Sequence, residues 1–125
     1  MSGSLTESAD GPGWRTFPRS ERLKKRADIR AVMRKGRCVT ESGAKLFYKE
    51  NGLSCNRIAF TFARKFGNAV ERNRARRLGR ESYRHLRTML PMGRDFVLLV
   101  YPGASTFDKR FLQLQRLAGR VSLDR

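Results

Sequence analysis

The sequence has one histidine, two cysteines and one tryptophan among 125 residues. Cys38 and Cys55 stand far apart, with only His85 to join them, so neither a CxxC pair nor zinc-ligand spacing exists. They read as two reduced thiols in a cytosolic protein. No nucleophile–base pair has a recognisable spacing, His85 has no partner, and no paired-Asp motif offers ligands for a two-metal cut. No apolar run approaches the roughly 18 residues that cross a bilayer. The start, MSGSLTESADGPGW, has no basic opening and no apolar segment, so it is not expected to act as a signal peptide. Acids are also scarce. Eleven Asp and Glu face twenty-eight Lys and Arg, for a net charge of +17. Such an imbalance costs self-repulsion. A chain that carries it generally meets a polyanion, with nucleic acid ahead of a membrane surface.

The length suits one domain with a modest core. Residues 1–19, rich in Ser, Gly and Pro, read as a flexible tail in which Trp14 or Phe17 could dock; residues 20–125 read as the domain. In KRADIRAVMRKG, Ile29, Val32 and Met33 share a helical face, and Gly36 stands where a left-handed C-cap would go. KLFYKE (45–50) leads into the turn signal Asn51-Gly52, and a further short strand is expected within 37–43. RIAFTFA (57–63) alternates as a half-buried strand, with Ile58, Phe60 and Phe62 on one face. FVLLVY (96–101) is apolar throughout, as an interior strand would be. A last helix from about Thr106 places Phe107, Phe111, Leu114, Ala118 and Val121 on one stripe. The order α-β-β-α-β-α predicts an α+β sandwich, helices packed on a small mixed sheet of about four strands. Asp95 and Asp108 need no more than loop or first-turn roles.

The stretch NAVERNRARRLGRESYRHL carries six arginines in nineteen residues, 68–86. Gly67 permits a sharp turn, Asn68 is a good N-cap, and Glu71 can complete a capping box. A helix from Ala69 to about Leu90, stopped by Pro91, follows. Stepping about 100° per residue from Arg72 puts Arg76, Arg87, Arg80, Asn73, Arg84 and Arg77 within an arc of about 140°. Ala75, Leu78, Ser82, Leu86 and Met89 fall on the other side, and Tyr83 near the arginine edge, where it could stack on RNA or cover the sheet edge. A merely solvated face usually mixes signs; here like charges repeat at i,i+4 from Arg72 through Arg84, each pair costing a few tenths of a kcal/mol. Guanidinium groups grip phosphate with two hydrogen bonds, and the helix start near Arg64 and Lys65 is itself an anion site. A DNA reader would mix more Asn, Gln or Ser among the arginines to reach base edges. A nearly pure arginine face suits backbone contact.

These residues resemble a known family. ARKFGNAVERNRARRLGRESYRHL is similar to the signature of the protein subunit of bacterial ribonuclease P. Gly67-Asn68-Ala69-Val70, Arg72-Asn73-Arg74, Arg76-Arg77 and Arg80-Glu81 match position by position, and the likeness runs from about Leu23 to Val121. The resemblance implies an α/β sandwich with a left-handed βαβ crossover. It implies a non-catalytic protein that assembles with a large RNA. That RNA uses Mg2+ and removes the 5′ leader of precursor tRNA, while the protein binds no cofactor of its own. RNA-binding candidates are then Arg64, Lys65, Asn68, Arg72, Asn73, Arg74, Arg76, Arg77, Arg80 and Arg84. A cleft between the first helix and the sheet would take the leader, with Ile29, Met33, Phe47, Tyr48 and Phe60 as candidates. Ile29 and Met33 stand where relatives often carry aromatics, so base stacking there falls to the strand aromatics. Partners expected are the RNA subunit and precursor tRNA, with no membrane and no protein oligomer, in the cytoplasm. The alternative is a ribosomal or general RNA-binding module without a processing role.

Overall fold

The computed structural model describes residues 19–102 and 106–123. The anticipated docking of Trp14 or Phe17, and residues 1–18 of the anticipated tail, lie outside the described residues. A short 3-10 turn, Arg19–Glu21, opens the described chain. Helix α1, Arg26–Lys35, follows, with Val32 buried and Ile29 and Met33 partly buried beside it. Strand β1 is Arg37–Glu41 and β2 is Ala44–Glu50, paired antiparallel with Val39 opposite Leu46. Strand β3, Arg57–Phe62, leads into helix α2, Ala69–Leu86. A 3-10 turn, Arg87–Met89, connects α2 to β4, Arg94–Val100, and helix α3, Phe107–Leu123, closes the chain. The Phe107 side chain lies outside the described residues.

The sheet order is β1-β2-β4-β3. Strand β4 runs antiparallel to β2 and parallel to β3, so the sheet is mixed. The apolar run that suggested an interior strand does occupy one. Alternation splits the sheet into two faces. Leu46, Tyr48, Ile58, Phe96 and Leu98 pack with Tyr83 and Leu86 of α2 and Leu114, Leu117 and Val121 of α3. On the other face, Phe47, Ala59 and Val97 pack with Leu23 and with Ile29, Val32 and Met33 of α1. Arg120 and Arg116 reach Glu41 at 2.9 and 3.6 Å, fixing α3 to the edge strand β1.

Four local expectations need correction. Gly36 is extended, at φ −81° and ψ 175°, not left-handed. Its reason is space: an added Cβ would sit 2.5 Å from the carbonyl oxygens of both Val32 and Tyr48. Helix α2 ends at Leu86 rather than Leu90, because its last turn tightens to 3-10. Met89 therefore leaves the apolar side and is 45% exposed. Tyr83 is 1% exposed, a core residue and not a stacking platform. Asp95 is no loop residue. It sits in β4 beneath Asn51, whose Nδ2 donates to it at 2.9 Å, and Arg57, which donates at 2.8 and 2.7 Å. Burial pushes its carboxyl up, but the Arg57 and Asn51 hydrogen bonds outweigh that and hold it below the ordinary value.

Candidate nucleic-acid interface

The turn after β3 aims α2. Ala63 N–H donates to Val100 at 2.9 Å, keeping the chain against β4, and Phe66 N–H returns to Ala63 at 3.1 Å. Lys65 takes a left-handed conformation, φ 65°, and Gly67 stands at φ 150°. At Gly67 a Cβ would strike the Glu71 carboxylate, so the glycine leaves room for the cap. The capping box is formed: Glu71 N–H donates to Asn68 Oδ1 at 2.9 Å, and Asn68 N–H donates to Glu71 Oε1 at 3.0 Å. Asn68 thus spends its side-chain oxygen on the helix.

Beyond the cap, Arg72, Arg74 and Arg77 are exposed, while Arg76, Arg80 and Arg84 are half-buried. Gly79 explains how the helix comes so close to the sheet. A Cβ there would lie 2.7 Å from the Phe60 ring. Arg76 lies 5.1 Å over the Phe62 ring and donates to Asn73 Oδ1 at 2.9 Å, which holds its guanidinium in place. Arg84 pairs with Glu81 at 2.9 Å. Burial, then the neighbouring charges of Arg22 and Arg76, lower the proton affinity of Arg80. Together Arg22, Asn73, Arg76, Arg77, Arg80, Glu81 and Arg84 line a groove of about 510 Å³. Five guanidinium groups stand with one glutamate there, which makes the groove strongly cationic.

The groove gathers five of the ten expected RNA ligands: Asn73, Arg76, Arg77, Arg80 and Arg84. Arg64, Lys65, Asn68, Arg72 and Arg74 do not line it; they lie on the turn and first turns of α2. Arg22 was not among the residues expected from sequence. Its one local signal was Leu23, the lone apolar residue between Arg19 and Arg26, now buried against Ala59 and Val97. The leader-cleft candidates divide. Ile29, Met33 and Phe47 come together on the α1 face. Tyr48 and Phe60 lie on the opposite face, Tyr48 buried with its ring 6.3 Å from that of Phe96 and Phe60 packed over Gly79. They cannot share one cleft with Phe47, because adjacent strand positions point apart.

Among the described residues, no group of three or more His, Cys, Asp or Glu is placed to hold a metal ion. Nor is any described helix long and apolar enough to cross a membrane. His85 is exposed, its ring 6.1 Å edge-on from Phe111.

Fold and groove define a small basic α+β protein with a cluster of arginines along one side of α2. The family model for ribonuclease P matches residues 17–121, and the chain belongs to that family. It is 40% identical over 85 residues to the ribonuclease P protein component of Borrelia duttonii, covering 67% of this chain and 75% of that one. With the ribonuclease P protein component of Dictyoglomus thermophilum it is 36% identical over 106 residues, 85% of this chain and 88% of the relative. The structure of the RNase P protein from Thermotoga maritima superposes with a TM-score of 0.72 at 27% identity, over 80% of this chain and 96% of that one. The Staphylococcus aureus RNase P protein, at 23% identity and TM-score 0.72, shares the fold, over 80% of this chain and 94% of its own.

Proposed function

We propose that this chain is the protein component of a ribonuclease P ribonucleoprotein. It binds the RNA subunit through the arginine side of α2 and receives the 5′ leader of precursor tRNA on the α1 face of the sheet, near Ile29, Met33 and Phe47. The RNA, with Mg2+, carries the cleavage that gives the mature tRNA 5′ end. The observation that supports this most is the groove, where five arginines converge beside a single glutamate and would attract a polyanion. The mostly arginine composition favours phosphate over base edges, as suits a partner recognised by shape.

The test is titration with a ribonuclease P RNA transcript across a potassium chloride series. Changing Arg76, Arg77 and Arg80 together to Glu is expected to weaken binding by about two orders of magnitude or more. The salt slope should fall at the same time, by about 0.7 to 0.9 for every phosphate the variant no longer neutralises. Wild-type affinity with an unchanged slope in the triple variant would reduce the face to a solvated one. Sequencing the RNA that co-purifies with the tagged chain separates this reading from a general RNA-binding module.

A further inference from the structure

The chain just before α1 does not simply lead into the domain. Arg22 forms a parallel bridge with Ile58 on the open edge of β3, and Leu23 N–H donates to the Ile58 carbonyl at 3.0 Å. Leu23 is buried under the sheet. Glu21, itself buried, turns the other way. It accepts from the Tyr83 hydroxyl at 3.4 Å, near the end of α2, and is paired with Arg87 just beyond that end. Two anchors therefore hold one short segment, one to the sheet and one to the helix. Between them stands Arg22, which lines the groove together with Arg76, Arg77, Arg80 and Arg84 and lies near enough to Arg80 to act on its charge.

We propose that Arg22 completes the RNA groove as a ligand of a backbone phosphate, with Glu21 the residue that positions it. This rests on the RNA-binding reading above. Arg22 shares one groove with four other arginines, and like charges at that range repel. The effect is felt inside the fold: burial first, then Arg22 and Arg76, make the Arg80 charge harder to keep. An anion lying in the groove offsets that repulsion with attraction. A single sugar–phosphate strand suits such a groove, since its charge repeats along its length and can meet several of these arginines. Glu21 sets the geometry: its carboxylate is held by Tyr83 and Arg87, which fixes the residue next to Arg22 in place.

The experiment uses the full chain, a ribonuclease P RNA transcript and a potassium chloride series. Arg22→Ala is expected to weaken binding about three- to tenfold and to lower the salt slope by about 0.7 to 0.9, the share of one phosphate. Arg22→Lys should restore the slope in large part. Lys24→Ala, an exposed cation in the same segment outside the groove, should change both far less. Glu21→Gln should also weaken binding in a chain that circular dichroism reports as folded, although every cation remains. Equal losses for Arg22→Ala and Lys24→Ala would overturn the inference. So would wild-type binding by Arg22→Ala alongside a crippled Arg76, Arg77 and Arg80 triple variant, which leaves the RNA-binding reading standing. Wild-type binding by both variants would overturn that reading itself.

Discussion

Asp95 is where a single side chain has most to lose. Its carboxylate receives two hydrogen bonds from Arg57 and one from Asn51, across the β2–β3 end of the sheet. Asp95→Asn leaves the Arg57 guanidinium facing an amide in a half-buried site. A cost of about 2 to 3 kcal/mol at neutral pH is expected, below the range for a fully buried pair because Arg57 keeps some solvent. The native carboxyl titrates below its ordinary value, so the stabilisation is present above the unfolded value of about 3.9. It disappears as pH falls through the depressed native value. Urea unfolding from pH 7 down to about 3 should show wild type and Asp95→Asn converging at the acid end. Parallel curves would mean that the charge is irrelevant. The sequence concealed this residue because an aspartate beside a glycine and an arginine reads as a loop. Its partners, Arg57 and Asn51, arrive only when β2, β3 and β4 are assembled.

At the scale of the element, α2 was the most legible part of the chain. Its cap was written locally, as Asn68 and Glu71 three residues apart, and the structure forms both bonds. Its arginine arc was written in the spacing. What the spacing could not give was depth. Tyr83 stood at the edge of the arc by angle alone, yet Glu21 and the sheet bury it. The helix end was likewise out of reach, since a final 3-10 turn depends on how the chain must enter β4. Gly36 was misread for a related reason: close approach to Tyr48, a neighbour in space, fixes it. The cap also permits a separation of roles. Asn68→Ala should cost about 1 kcal/mol of stability, read by thermal or urea unfolding. Its effect on the RNA salt slope should stay small beside that of the triple arginine variant, because the Asn68 oxygen serves Glu71 N–H. A large fall in slope with unchanged stability would make Asn68 a ligand in its own right.

For the whole molecule, charge is the governing quantity. The function proposed above assigns the cleavage to the RNA and leaves the protein an electrostatic role. The expected division of labour is measurable. In cleavage assays over a magnesium series, protein without RNA should leave precursor tRNA intact. With the RNA present it should raise activity most at low magnesium, where its cations replace ions that screen RNA–RNA repulsion. Cleavage at the mature 5′ end by RNA-free protein would overturn this. Equal stimulation at every magnesium level would remove the electrostatic account.

The place of β4 in the sheet also bears on how the protein is made. Both β2 and β3 pair with β4 and not with each other, yet β4 follows α2 in the chain. While the ribosome is still adding residues up to 93, the emerged chain holds at most the β1–β2 hairpin, and β3 has only the short bridge at Arg22 for a partner. The helix has no surface on which to lay Leu86 and Tyr83. During that interval its arginines are already synthesised but not aimed. The two halves of the sheet can join, and the helix can take its seat, only after residues 94–100 have left the ribosome, since β2 and β3 meet only through β4. A nascent chain of this design therefore cannot orient its cationic face until β4 is in place.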